Sequence, residues 1–385
     1  MVISPTSRLT GSDRFTSAGG QLATNPRTPV KTRAGALFVL LGILTSSGSG
    51  CQSVGYYSQA IHGQCQILHR RQAIAELLKD PATPPALQTK LRLVLDLRKF
   101  AETELHLSAN GHYLAYADLG RRYALWNVYA APEFSLKAKS WWYPVVGRLK
   151  YRGYFSEPQA RQMACKLKHA GYDVHVGGVP AYSTLGWFRD PVLNTFIDYE
   201  ETDLAELLFH ELTHQRLFIA GDTEFNEALA TAVAEEGLRR WLESKNDLDA
   251  LRAYQQEVRR HEQFIELITQ TRAQLDMFYL NPVVQLDPDA ARKRAHKEQL
   301  LQQLRHHYDA LRKTWVGQPD FDAWFKSDLN NARLNTVDTY YQLVPAFRAL
   351  LRSKRGDLDA FFAALKELSG LRKEQRRAWL AALEP

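Results

Sequence analysis

The run His210-Glu211-Leu212-Thr213-His214 constrains this chain more than any other feature, because the chemistry it encodes exists only on a helix. Positions i and i+4 of an α-helix stand about 6 Å apart on one face, so both imidazoles can reach one metal ion at ~2.0–2.1 Å. Glu211 lies beside that face, close enough to a water on the metal to serve as general base and too constrained to be a ligand from the same turn. Chance is a weak explanation, since 12 His and 21 Glu in 385 residues give an expectation of roughly 0.02 such patterns per chain. The preceding Asp203-Leu204-Ala205-Glu206-Leu207-Leu208-Phe209 reads as an Asp-x-x-Glu cap and an apolar stripe, which predicts the required helix.

A catalytic zinc takes three protein ligands and leaves the fourth position to water. The helix is expected to run out near Ala220-Gly221, with Asp222-Thr223 capping a second helix that begins at Glu224 and folds back over the first. That hairpin makes Glu227 the expected third ligand of one Zn2+ per chain. Glu224 is the runner-up, in a first turn where acidic residues serve the helix dipole, and Glu235 and Glu236 read as solvated. Asn226 is a candidate for holding the backbone around the ligands.

The formal charge of +7 invites a nucleic-acid reading. Residues 1–50, however, hold Arg8, Arg14, Arg27, Lys31 and Arg33 against Asp13 alone, and the remainder carries 44 basic and 41 acidic side chains. No basic arm is left to argue for nucleic acid. The first 30 or so residues are rich in Ser, Thr, Gly, Arg and Pro and are expected not to fold. The basic flank and apolar run from Arg33 to Leu44 are too short for the ~20 residues of a membrane span and read as a secretion signal. Ser49-Gly50-Cys51 resembles a bacterial lipobox, with Gly48 where an aliphatic residue is usual. Lipidation of Cys51 is expected to anchor the mature chain to a membrane, ordinary cleavage or a buried thiol being the alternatives. Gln52 is not the Asp of an inner-membrane retention signal, which favours the outer membrane. Cys65 and Cys165 are read equally as a disulfide in an oxidising periplasm or as two free thiols.

Along the rest of the chain, helical periodicity from Ile61 to Leu105, broken at Pro81 to Pro85, predicts two helices. Aromatic and β-branched residues from Ala124 to Val179 predict a small sheet with a helix at Glu157 to Ala170 and a strand at Asp173 to Val176. Leu251 to Leu280 and Ala290 to Trp315 read as a long antiparallel helix pair joined at Asn281-Pro282, with a further helix pair at the C-terminus. The expected fold is α+β and mostly helical. Its divisions are an extension and signal (1–50), a mixed region (51–175), a catalytic core (176–245), a helical hairpin (246–316) and a helical C-terminal region (317–385). Gly177, Gly178, Tyr182 and Trp187 are candidate substrate-binding residues, because peptides commonly add as a strand to a sheet edge beside a zinc helix. The alternative there is an ordinary turn with aromatic packing. Arg333, Tyr340 and Tyr341 are candidates for stabilising an oxyanion, unless the tyrosines are simply core.

Asn226-Glu227-Ala228-Leu229-Ala230 after the histidine run resembles the glutamate-zincin arrangement, in which that Glu is the third zinc ligand. Further stretches resemble a bacterial family of predicted zinc aminopeptidases that often carry lipoprotein signals. These include Trp126-Asn127-Val128-Tyr129-Ala130-Ala131-Pro132, Tyr151-Arg152-Gly153-Tyr154-Phe155, Gly177-Gly178-Val179-Pro180-Ala181-Tyr182 and Leu329-Asn330-Asn331-Ala332-Arg333-Leu334, and the likeness runs from Cys51 onward. The resemblance implies a zincin-like catalytic helix pair and a peptide substrate cut by an exopeptidase, a label that no single residue carries. An endopeptidase acting on envelope proteins, and a non-catalytic lipoprotein with its His pair packed or binding metal structurally, are the rival readings.

Overall fold

A computed structural model describes residues 50–143, 147–184, 187–315 and 321–383, with the backbone alone at 50–54 and 338–340. The extension and signal expected before Gly50 lie outside the described residues, as do the side chains of Cys51 and Tyr340. The fold is α+β and mostly helical, with sheets of two or three strands.

The chain begins with α1 (Gly50–His69), β1 (Gln72–Ala73), α2 (Ile74–Leu77) and α3 (Pro85–Thr103). Strands β2 (Ala115–Ala117), β3 (Leu125–Pro132), β4 (Trp141–Tyr143), β5 (Gly147–Leu149) and β6 (Arg152–Tyr154) lead to α4 (Glu157–His169), β7 (Tyr172–Val179) and β8 (Val192–Leu193). Helices fill the remainder: α5 (Glu201–Arg216), α6 (Thr223–Ser244), α7 (Leu248–Leu280), α8 (Pro282–Leu286), α9 (Ala290–Arg312), α10 (Asp322–Lys326), α11 (Asn331–Tyr341), α12 (Val344–Ser353), α13 (Leu358–Ser369) and α14 (Lys373–Ala381). No described helix is long and apolar enough to cross a membrane.

Expectation and structure agree closely at α4, α7 and α9. They differ between Ile61 and Leu105, where the first helix stops at His69 and Gln72–Ala73 pair with Ala115–Tyr116. The single expected sheet is three. The main one has the order β6-β3-β7, all antiparallel, with Tyr129 opposite His175 and Trp126 opposite both Tyr154 and Gly178. β4 and β5 form a hairpin, and β1-β2-β8 joins segments distant in sequence. Cys65 and Cys165 are both exposed and not bonded to each other, so the expected disulfide alternative is absent.

Side-chain alternation on β3 explains how the main sheet is buried on both faces. Val128 and Ala130, with Tyr154 and Val174, pack on Ala160, Ala164 and Leu167, the i, i+4, i+7 stripe of α4. The opposite face presents Leu125 and Tyr129 to the large core that contains α5 and α6. In α5, residues Leu207 to His214 are buried without interruption, and in α6 so are Thr223 to Ala234. A helix buried all round has to be surrounded. α3 covers α5, α12 and α7 flank α6, and α11 wedges between α6 and the sheet. α11 also joins two cores, with Ala332 in the first and Leu334 and Val337 in a second built from α7, α9 and α10.

Gly237 sets the spacing of the α5–α6 pair. A Cβ there would lie 2.7 Å from Leu105 Cδ1 and 2.8 Å from Phe209 Cδ2. Gly237→Val is therefore expected to push α6 off α5, costing about 1–3 kcal/mol by overpacking. Thermal unfolding checks this, and a variant as stable as the parent contradicts it.

Candidate metal centre

The site is assembled by the α5–α6 hairpin. α5 starts at Glu201, two residues before the expected Asp203 cap, and Glu200 at its N-cap makes no side-chain cap bond. Glu201 is anchored to α6 instead, accepting a hydrogen bond from Trp241 Nε1 at 2.8 Å. The helix ends at Arg216, four residues short of the expected Ala220, with Leu217 extended at φ −149°. The cause is Asn226, whose carboxamide makes two bonds to Ile219, Oδ1 accepting from its N–H and Nδ2 donating to its C=O, both at 2.8 Å. These bonds take up the backbone groups that a continued helix would have used. Asn226 thus holds the connection between the two ligand-bearing helices.

Asp222 does not cap α6 through its side chain, contrary to expectation. Its carboxylate accepts from Arg376 Nη2 at 2.6 Å and Nε at 3.2 Å, with Lys373 at 3.3 Å, so α14 clamps the start of α6. Glu224 is tied down in the same way by Lys150, Lys373 and Arg377. Glu235 and Glu236, expected to be solvated, are largely buried partners of Arg348 and of Arg239 and Arg240.

Glu227 has a different environment. His210 Nε2 lies 3.2 Å and His214 Nε2 3.7 Å from its Oε2, and all three side chains are fully buried. The two imidazoles stand perpendicular with ring centres 4.9 Å apart. One ligand atom from each of the three residues falls within 4.8 Å of the others. Burial holds His214 at about 3 and His210 well below its ordinary value, His214 adding to the effect on His210. Burial likewise pushes the Glu227 carboxyl well up, with Glu211 contributing. Neutral imidazoles are the form that binds metals. Among the described residues His214 Nε2 and Glu227 Oε1 have no hydrogen-bond partner, although both are buried. Two imidazole nitrogens and a carboxylate oxygen that converge without an organic cation are a donor set fit for a divalent metal ion.

Glu211 is 1% exposed and near enough to Glu227 to raise its pKa. Its charge also acts on Tyr113, whose hydroxyl is pushed well up by burial, then by Glu211 and Asp190. Tyr113 sits in the left-handed region at φ 59°, and its N–H donates to Asp190 C=O at 2.8 Å. Asp190 accepts from Thr184 Oγ1 at 2.7 Å and Thr184 N at 3.0 Å, while its own N–H donates to His112 Nδ1 at 3.0 Å. Sequence reasoning missed this network. The signal available was a buried-type polar cluster at His112-Tyr113 and Asp190, but it has no spacing that pairs it with the histidine helix.

The remaining expected residues are scattered. Gly177 and Gly178 lie on β7 opposite Asn127 and Trp126, and β7 is the outer strand of its sheet. The space beside Gly178 is filled by Tyr123, whose ring would be 2.4 Å from an added Cβ. Tyr182 is core, packed edge-on against Phe155 and donating to Gln64 Oε1 at 2.5 Å. Trp187 is 57% exposed. Beyond β7 the chain returns to the histidine helix, since Gln215 Nε2 donates to Ser183 Oγ at 2.6 Å beside His214. Arg333 is buried with Nη1 3.1 Å from His175 Nδ1 and its guanidinium over Trp324. Tyr341 packs edge-on against His261, ring centres 4.5 Å apart. Neither is brought into the His210, His214 and Glu227 group.

The fold places a small sheet beside a helix pair that buries two His and a Glu, a group that could hold a metal ion. The chain belongs to the family described as "Putative aminopeptidase", whose pattern matches residues 55–380, and so to a family of peptidases. No curated protein and no solved structure matches it.

Because the folded-state pKa of Glu227 is raised, its ionised form destabilises the metal-free protein above about pH 4.5, the unfolded carboxylate value, and the full cost is present once pH exceeds the raised one. Metal-free Glu227→Gln is therefore expected to unfold at or above the parent's temperature at pH 8. Adding a divalent metal should raise the midpoint of the parent and not of the variant, as calorimetry with and without chelator would read. Equal stabilisation of both proteins would exclude Glu227 as a ligand.

Proposed function

We propose that the protein is a zinc aminopeptidase of the bacterial envelope, with one Zn2+ held by His210, His214 and Glu227. The observation that carries this is the convergence of those three buried side chains with Glu211 one residue from the first of them. When bound, zinc supplies Lewis acidity toward a water and the scissile carbonyl. Glu211 takes the proton from the attacking water and passes it to the leaving amine, which its burial beside the group supports. Tyr113 remains protonated at neutral pH and lies near enough to Glu211 to feel its charge, which supports it as the hydroxyl donor to the developing oxyanion in place of Arg333 and Tyr341. The peptide is proposed to add along the outer edge of β7, a reading supported by the return of the chain from that strand to Gln215. Attachment to the outer membrane through lipid on Cys51 is proposed from the apolar segment and lipobox-like ending alone.

Glu211→Gln is expected to retain metal and lose about 10²–10⁴-fold in kcat; full activity would exclude the mechanism. Tyr113→Phe should lose about 10²–10³-fold in kcat with little change in KM, while Tyr341→Phe remains near the parent. Peptides with a free amino terminus should be cut and their N-acetylated forms left intact in the same assay. Equal cleavage of both would make the protein an endopeptidase.

A further inference from the structure

A pocket of about 690 Å³ lies between the later turns of α6, the start of α7 and the end of α12. It belongs to a different face of α6 from the metal group. At about 100° per residue, Ala232, Glu235, Glu236 and Arg239 are turned roughly 80–180° from Glu227.

Its charge is unbalanced. Five arginines (239, 259, 348, 352 and 355) line it against three glutamates (235, 236 and 262). Every one of those carboxylates is already committed. Glu235 takes Arg348 through two bonds of 2.7 and 2.8 Å, Glu262 takes Arg348 as well, and Glu236 takes Arg239 and Arg240. The guanidinium groups of Arg259, Arg352 and Arg355 have no hydrogen-bond or ion-pair partner among the described residues, and they come from α7, α12 and the turn after it. That turn is held in place, with Arg355 at φ 55°, Gly356 at φ 78°, and Arg240 Nη2 donating to Gly356 C=O at 2.5 Å. Tyr254, Val258 and Leu351 supply an apolar floor.

We propose that this pocket is a second binding site, for a small anion carrying phosphate or carboxylate groups, gripped by Arg259, Arg352 and Arg355. Guanidinium forks pair with such groups through two parallel hydrogen bonds, and the volume lies in the range of small-ligand sites. Three guanidiniums that line one pocket beside a fixed turn, without a partner among the described residues, match an anion of at least two charges. The site does not depend on the peptidase reading.

The test uses the full chain with its metal, titrated calorimetrically with inorganic pyrophosphate, and sedimented with vesicles containing phosphatidylglycerol in a parallel arm. The parent is expected to bind pyrophosphate at one per chain. Arg352→Ala/Arg355→Ala, two exposed side chains whose removal leaves the core untouched, should bind about tenfold more weakly or worse. Arg259→Ala serves as the independent variant, with circular dichroism as the check on folding. Vesicle binding without pyrophosphate binding, lost in the same variants, would keep the site and assign its anion to a lipid headgroup. No binding in either arm, or binding that the variants leave unchanged, overturns the proposal.

Discussion

The structure depends on burying two imidazoles and two carboxylates between α5 and α6. Removing ionisable groups from water is costly, and the pKa directions at His210, His214 and Glu227 record that cost, burial being the leading cause in each case. A metal ion at their convergence would offset it, since the same low dielectric that penalises an unpaired carboxylate strengthens its attraction to a cation. The surrounding fold keeps the four groups from escaping to solvent. Gly237 lets the helices approach, Asn226 fixes their connection, and Arg376 with Lys373 pins the start of α6 through Asp222.

Glu224 and Glu227 show how position decides the fate of identical side chains. Glu224, in the first turn of α6, meets Lys150, Lys373 and Arg377 and becomes a fastening point for α14. Glu227, one turn on, faces α5 and meets the two histidines at 3.2 and 3.7 Å. Remote layers contribute through α11, which packs on α6, β3 and β7 together and belongs to both large cores. The sheet and the α7–α9 hairpin thus share one packed element with the helix carrying Glu227.

What was legible in the sequence was whatever is local and periodic. The histidine helix, the hairpin to Glu227, α4 and the α7–α9 pair all follow from 3.6-residue spacing and turn residues. Endpoints set by side chains elsewhere were not legible. α5 stops at Arg216 because Asn226, seven residues past Ile219, occupies that backbone, and Asp222 leaves its capping role for a guanidinium from residue 376. The β1-β2-β8 sheet was hidden because strands of two or three residues carry no alternation to read. Tyr182 and Trp187 had the same aromatic signature, yet one is core and the other exposed. Tyr113 and Asp190 reach the neighbourhood of Glu211 only through tertiary folding, so no spacing announced them.

A metal ion held jointly by His210, His214 and Glu227 would carry a distinct X-ray absorption signature. X-ray absorption at the zinc edge of the purified chain tests for it most directly. Stoichiometric zinc with two imidazole nitrogens and carboxylate oxygen at ~2.0–2.2 Å is expected, the imidazole scattering diminishing in His210→Ala. Protein purified without metal and unable to take it up, or a zinc environment unaltered by that substitution, would contradict it.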